Sequence, residues 1–333
     1  MRPILQPGIR LPEFLLPAAN RDRPLGTADL LGQVAVVLFF PFARRAELTG
    51  QLAAFQEKRP ALTAQQAQVV AITDGEAEAL KAWAAEEGLT FPLLSDGQPR
   101  GATAARFGTI TVEGNVLPAV FVADEEGLIR RVYEPNQEAS LPNPALVRRA
   151  IVNLSLAPKP PPPHADDWQL GPAEAPVVLI EYADYQCGYC QETYRALTAL
   201  LPAYGNRLRL IYRHFLLRRS HPLAQGAAEA AEAAGAQGRF WPMHERLFAA
   251  AGALERDQLV AYARELGLDV ARFVADLDSG RFAEKVEEDM RGALAHKIKS
   301  PPAVFVNQIV YDGPRTAQGL RTRIDGLLAC LEG

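Results

Sequence analysis

Val177-Val178-Leu179-Ile180-Glu181-Tyr182-Ala183-Asp184-Tyr185-Gln186-Cys187-Gly188-Tyr189-Cys190 is the stretch that decides the fold. Val177 to Ala183 is a short run, apolar on both faces, which is the pattern of a strand buried inside a sheet. After a brief loop, Cys187 opens a segment predicted to be helical over Cys190 to Leu201, stopped near Pro202 and Gly205. A strand that turns so quickly into a helix puts the first sulfur at the helix N-terminus, where unpaired N–H groups and the dipole stabilise a thiolate. Cysteines in such places titrate at about 3.5–7.5. Cys190 follows one turn later on the same face, within disulfide reach and more buried. Exchange needs one thiolate that attacks and a second thiol that resolves the mixed disulfide. Cys187 therefore reads as the nucleophile and Cys190 as the resolving thiol.

A structural zinc would need four ligands at compact spacing. Cys330 is single, and His164, His214, His221, His244 and His296 show no metal spacing, so no metal is expected. Three cysteines cannot scaffold a chain of 333 residues, and a close pair in a reducing compartment points to catalysis. His214 and His244 read as packing or surface residues, and Cys330 as a small buried one. Glu181 stands in the apolar strand, where a carboxylate is expensive and shifts toward its neutral form. Its offset from Cys187 places it beneath the pair, where it could exchange a proton with Cys190. A solvent-facing edge position is the alternative.

Outward from this stretch, Ala157-Pro158-Lys159-Pro160-Pro161-Pro162-Pro163-His164 marks a boundary, because a proline run behaves as a semi-rigid spacer. The expected division is a domain over 1–152, a linker over 153–165 and a second domain over 166–333. In the first segment, strands at Val34 to Phe40, Val69 to Thr73 and Phe91 to Leu94 alternate with helices at Glu47 to Lys58 and Glu76 to Glu87. A hairpin over 119–133 turns at Asp124-Glu125-Glu126-Gly127. In the second, Leu208 to Phe215 is the next strand and a long helical stretch runs from Pro222 to about Ile298. A hairpin around Asn307-Gln308 and a helix over Thr316 to Leu331 follow. The fold class is α/β: two thioredoxin-like domains, the second with a helical insertion.

Glu181 to Cys190 resembles the active-site strand and helix of the DsbA-like branch of the thioredoxin superfamily, which carries an acidic residue at this offset. The resemblance continues through Arg209 to Phe215, His221-Pro222-Leu223-Ala224, Ala227 to Ala234, Gly238 to His244 and Ser300 to Asn307, covering about 166–333. It implies a cis-proline at Pro302 that shapes the client surface. Pro301 replaces a residue that offers its backbone to substrate, and proline has no N–H; one such bond should be missing. Gly188-Tyr189 replaces the Pro-His of the best-known oxidases, which implies a less oxidising pair. Gly188, Tyr189, Pro301 and Pro302 are thus the candidate substrate-binding residues.

Residues 9–135 resemble a peroxiredoxin-type (AhpC/TSA) domain through Leu38 to Phe42, Val70 to Asp74, Phe91 to Asp96 and Val120 to Asp124. That family places Pro-x-x-x-Thr-x-x-Cys after the first core strand. Pro41 matches, but Arg45 and Leu48 stand at the threonine and cysteine positions, and no cysteine precedes Cys187. Peroxidatic chemistry is not expected there. Arg44 and Arg45 hint at contact with an anion, although two arginines on a loop are usually just solvated.

The sequence thus reads as a thiol–disulfide oxidoreductase that needs no cofactor beyond the Cys187–Cys190 disulfide. Its expected partners are protein clients with thiols or disulfides and an unidentified thiol reductant or oxidant. A net charge of -4 with no basic run excludes nucleic acid, and no apolar run is long enough to span a membrane. With no leader visible, the expected location is cytoplasmic. The competing functions are a peroxide-reducing enzyme using Cys187 and a holdase-like client-binding protein. A kappa-type glutathione transferase shares the fold but typically lacks the paired cysteines.

Overall fold

The computed structural model describes residues 2–42, 46–134, 140–250 and 252–332. Arg44 and Arg45 lie outside them. The chain divides into two compact units, one formed by 1–157 with 325–333 and the other by 158–324.

In the first unit, β1 (Val34–Phe39), β2 (Ala67–Thr73) and β3 (Leu93–Ser95) are parallel, and β4 (Ala119–Ala123) and β5 (Ile129–Tyr133) complete the sheet antiparallel, in the order β3-β2-β1-β4-β5. β1 is central and buried at every position, as its unbroken apolar run requires. Helices α1 (Ala46–Thr63), α2 (Ala77–Glu86), α3 (Ala102–Phe107) and α4 (Pro144–Leu156) accompany it. The sequence reading lacked α3 and α4. For α4 the signal was present: Asn143 caps it by accepting from the Ala145 N–H, and Pro144 occupies the first turn, where its missing N–H costs nothing.

Because α4 runs to Leu156, the irregular proline run starts at Ala157 and not at 153. That run belongs to the second unit. The Arg213 guanidinium uses all five of its N–H groups on Asp167 (2.7 and 2.8 Å), the carbonyls of Pro161 and Pro162, and the Tyr182 hydroxyl. The prolines are thus anchored, where the sequence suggested only a spacer. Residues 325–333 group with the first unit.

The second unit pairs β6 (Trp168–Leu170), β7 (Val177–Ala183), β8 (Leu208–His214), β9 (Ala303–Val306) and β10 (Ile309–Val310) in the order β10-β9-β7-β8-β6. β7 and β8 are parallel, and β9 runs antiparallel to β7. The β9–β10 hairpin turns at Asn307 and Gln308, both with positive φ. Edge strand β6 was not anticipated. Its Trp168 stacks on Phe240 at 4.2 Å, and only glycine fits beneath it, since a Cβ on Gly235 would meet the ring at 2.4 Å.

After β7 come α5 (Gly188–Thr198) and the short α6 (Leu201–Tyr204), where one helix was expected. The stretch read as a single helical run is five helices: α7 (Ala224–Gly235), α8 (Phe240–Ala249), α9 (Arg256–Glu265), α10 (Val270–Asp278) and α11 (Ala283–Ala295). Gly267 and Gly280 end two of them in the left-handed conformation, and Asp269 caps α10. The alanines of α7 are buried, which lets neighbouring helices approach closely. α12 (Ala317–Glu332) closes the chain.

Arg213→Leu should lower stability by about 3 kcal/mol in urea unfolding, because it leaves the buried Asp167 carboxylate with only His164 as a partner. Adding Asp167→Leu should recover a substantial part of that loss.

Candidate active site

Strand alternation puts Glu181 on the same face as Ala183, beside Tyr212 of β8 and across from Val304 of β9. Core residues on that face include Tyr194 of α5 and both cysteines of the pair. Glu181 has no solvent exposure, so the edge alternative is ruled out. Neither of its carboxyl oxygens has a hydrogen-bond partner. Burial pushes Glu181 up to about 8, and Cys187 adds to the rise. A carboxyl so placed holds its proton at neutral pH.

Cys187 is the N-cap of α5; its N–H donates to the Asp184 carbonyl at 3.1 Å and its own carbonyl accepts from Gln191. Its residue is 6% exposed and Cys190 is wholly buried, the order of accessibility that one attacking and one resolving thiol require. Both are free thiols. The hydrogen bond from the Cys190 thiol brings Cys187 down to about 6, helped by the N–H groups of Cys190 and Tyr189 and opposed by burial and the Asp184 carboxylate. Burial, then the bond to Cys187, pushes Cys190 far above the ordinary thiol range. One sulfur is poised as a thiolate while the other keeps its proton.

Gly188 and Tyr189 lie on the solvent side, with Tyr189 77% exposed. The Pro301–Pro302 peptide is cis, and Pro302 is buried immediately before β9, the strand paired to β7. His214 and His244, for which packing and surface roles were both open, are fully buried. His214 Nε2 meets Glu232 at 2.9 Å, and His244 Nδ1 meets the Tyr185 hydroxyl at 2.6 Å. Burial pushes His244 well below its ordinary value and keeps it neutral. Cys330 is also buried.

Sequence reasoning missed Asp184. Its fully buried carboxylate accepts from the Gln186 N–H at 2.8 Å, the Leu217 N–H at 2.9 Å and His221 Nδ1 at 2.9 Å, and so holds the loop between β7 and α5. The signal available was an acidic residue directly after a buried strand. No cluster able to hold a metal occurs among the described residues.

Alkylation of Cys187 by iodoacetamide should rise through a midpoint near 6, while Cys190 stays unlabelled in the folded chain. Glu181 gives a second, opposite pH signature. Folding raises its pKa from an ordinary value of about 4.3. The folded chain therefore binds more protons than the unfolded chain between there and about 8, and stability falls as pH rises through that window. Glu181→Gln should abolish that fall. In urea unfolding the variant should gain on the parent by a few kcal/mol at alkaline pH, and much less near pH 4.

Residues 164–326 match the family model described as thioredoxin, and residues 7–132 match that of the AhpC/TSA family. The Na(+)/H(+) antiporter NhaA 1 of Salinispora arenicola is 38% identical over 183 residues, covering 55% of this chain and 27% of that protein. The Na(+)/H(+) antiporter NhaA of Herminiimonas arsenicoxydans is 41% identical over 154 residues, covering 46% and 24%. The chain thus spans about a quarter of the length of these curated relatives. No helix among the described residues is long and apolar enough to cross a membrane. Of solved structures, oxidised BdbD from Bacillus subtilis aligns at a TM-score of 0.48 and 21% identity, over 53% of this chain and 99% of that one. AhpC of Mycobacterium tuberculosis aligns at 0.41 and 20%, over 46% and 94%. The two family matches, one on each part of the chain, mark an AhpC/TSA-type domain over 7–132 followed by a thioredoxin-type domain over 164–326.

Proposed function

We propose that this chain is a DsbA-like thiol–disulfide oxidoreductase acting through Cys187 and Cys190. The observation that carries this reading is the placement of the two sulfurs: Cys187 at the N-cap of α5 and 6% exposed, with Cys190 wholly buried one turn later, which favours the thiolate at the first and the protonated thiol at the second. A client thiolate attacks the Cys187 sulfur of the oxidised pair. The Cys187–Cys190 bond breaks, and Cys190 leaves with the electron pair and takes a proton from Glu181. A second client thiolate then attacks the client sulfur of the mixed disulfide and releases Cys187 as a thiolate. The client dithiol is oxidised to a disulfide and the pair is reduced; the reverse sequence reduces a client.

The pair itself is the only redox group this chemistry uses. Clients are thiol- or disulfide-bearing proteins, a second thiol system resets the pair, and the cytoplasm is the proposed compartment. Tyr189 offers an exposed aromatic beside the nucleophile, and Pro302, immediately before β9, shapes the client surface next to Pro301. A peroxide-reducing enzyme would also have to use Cys187, because the first domain has Leu48, buried in the core with Leu52 and Phe55, where the AhpC/TSA resemblance places its cysteine.

Equilibration with glutathione should give one reversible two-electron couple, absent in Cys187→Ser. Its potential should fall between about −270 and about −120 mV, because the Cys187 value lies between those of the thioredoxin and DsbA thiols that bound this range. The absence of any couple in the parent chain would falsify the reading. Aggregation suppression that survives Cys187→Ser would then favour a client-binding protein.

A further inference from the structure

Asp184 is a fully buried acid three residues before Cys187, whose N–H its carbonyl accepts at 3.1 Å, and the cation-forming side chain bonded to its carboxylate is a histidine. The Nδ1 atom of His221 sits 2.9 Å from Asp184 Oδ2, while the imidazole keeps 20% of its side-chain surface exposed. The histidine is tied to the same loop by its chain neighbours. Leu217 N–H donates to that same Asp184 oxygen, and Leu223 N–H donates to the side chain of Gln186, the residue preceding Cys187. Segment 217–223 is therefore clipped to the nucleophile's loop at three points. The ionisable groups that act on Cys187 are Cys190 on its own helix, Glu181 on β7 and Asp184 in the loop. Of these, Asp184 alone is bonded to a group that reaches solvent.

We propose that His221 is a positioning residue for the redox pair: by donating to the buried Asp184 carboxylate, it fixes the Cys187 loop and offsets the negative charge that would otherwise disfavour the Cys187 thiolate. This rests on the thiol–disulfide reading above. In a water-poor site a carboxylate that loses one of three donors acts more strongly on its neighbours. A thiolate beside it is then less favoured and the reduced pair is less stabilised. Removing the carboxylate charge has the opposite consequence. Loop disruption alone would not give effects of opposite sign from the two partners of one hydrogen bond.

The test uses the full chain, titrating thiolate absorbance at 240 nm and equilibrating the pair with glutathione. His221→Leu should raise the Cys187 midpoint by about half to one pH unit and make the pair three- to tenfold more reducing in its equilibrium constant, on the order expected when an opposing charge is uncovered. His221→Gln, which keeps an N–H donor, should recover at least half of that shift. Asp184→Asn should move both readings the other way, and His221→Leu should then have no further effect in its background. The proposal is overturned if His221→Leu moves neither reading, or if Asp184→Asn moves them in the same direction as His221→Leu. If Asp184→Asn does not fold, the two His221 variants decide alone. A parent chain without any couple would sink the thiol–disulfide reading instead, and the thiolate titration would still decide the role of His221.

Discussion

A buried strand must become a helix within four residues between Ala183 and Gly188, and the Asp184 carboxylate makes that turn possible. Turning so sharply frees backbone N–H groups in a place with little water, and an unpaired buried donor costs about 1–3 kcal/mol. Asp184 collects one from Gln186 and one from Leu217, while its own carbonyl takes that of Cys187. The helix then starts where it does, and its N-terminal amides converge on a sulfur.

From that placement the electrostatics follow. The same burial acts in opposite directions on groups a few residues apart, depending on what else each can bond. Cys187 finds N–H donors and a neighbouring thiol, so its charged form is favoured in spite of burial. Cys190 and Glu181 find much less, and each holds its proton. A carboxyl with two unpartnered oxygens is a stability cost with no structural return. It stands on the sheet face that carries the cysteines, and this position is what the proposed proton transfer to a leaving sulfur rests on.

Local features of the site were legible in the sequence and long-range ones were not. The strand, the paired cysteines and the carboxylate at Glu181 stand within fourteen residues of one another, so spacing alone placed them together. Asp184 could be seen only as an acid after a strand, because its partners Leu217 and His221 lie 33 and 37 residues further on. The proline run read as a spacer because nothing local announces that Arg213 will bond its carbonyls from 51 and 52 residues away. Helix α4 was announced by Asn143-Pro144, and the breaks in the insertion by Gly267, Asp269 and Gly280. Strand β6 had no such sign, being three residues long at a sheet edge.

The first domain shows that this way of securing a turn does not depend on sulfur chemistry. Asp74 follows β2 as directly as Asp184 follows β7, and its carboxylate accepts from the Phe42 N–H at 2.7 Å and from Arg100 at 2.8 Å. Asp124, one residue past β4, accepts from the Leu128 N–H at 2.9 Å. Asp96, one past β3, accepts from the N–H groups of Thr103 and Ala104 at the start of α3. Each is a buried carboxylate that satisfies donors exposed where a strand ends. With Leu48 packed where the AhpC/TSA resemblance would have a thiol, these turns have no reactive sulfur to serve, yet the carboxylates remain because the backbone still needs acceptors. In the second domain the same arrangement holds Cys187, and what distinguishes it is the partner. Arg100 bonds Asp74 with 65% of its side chain exposed, whereas His221 bonds Asp184 with only 20% exposed, so in the second domain the partner is itself packed into the surroundings of the redox loop.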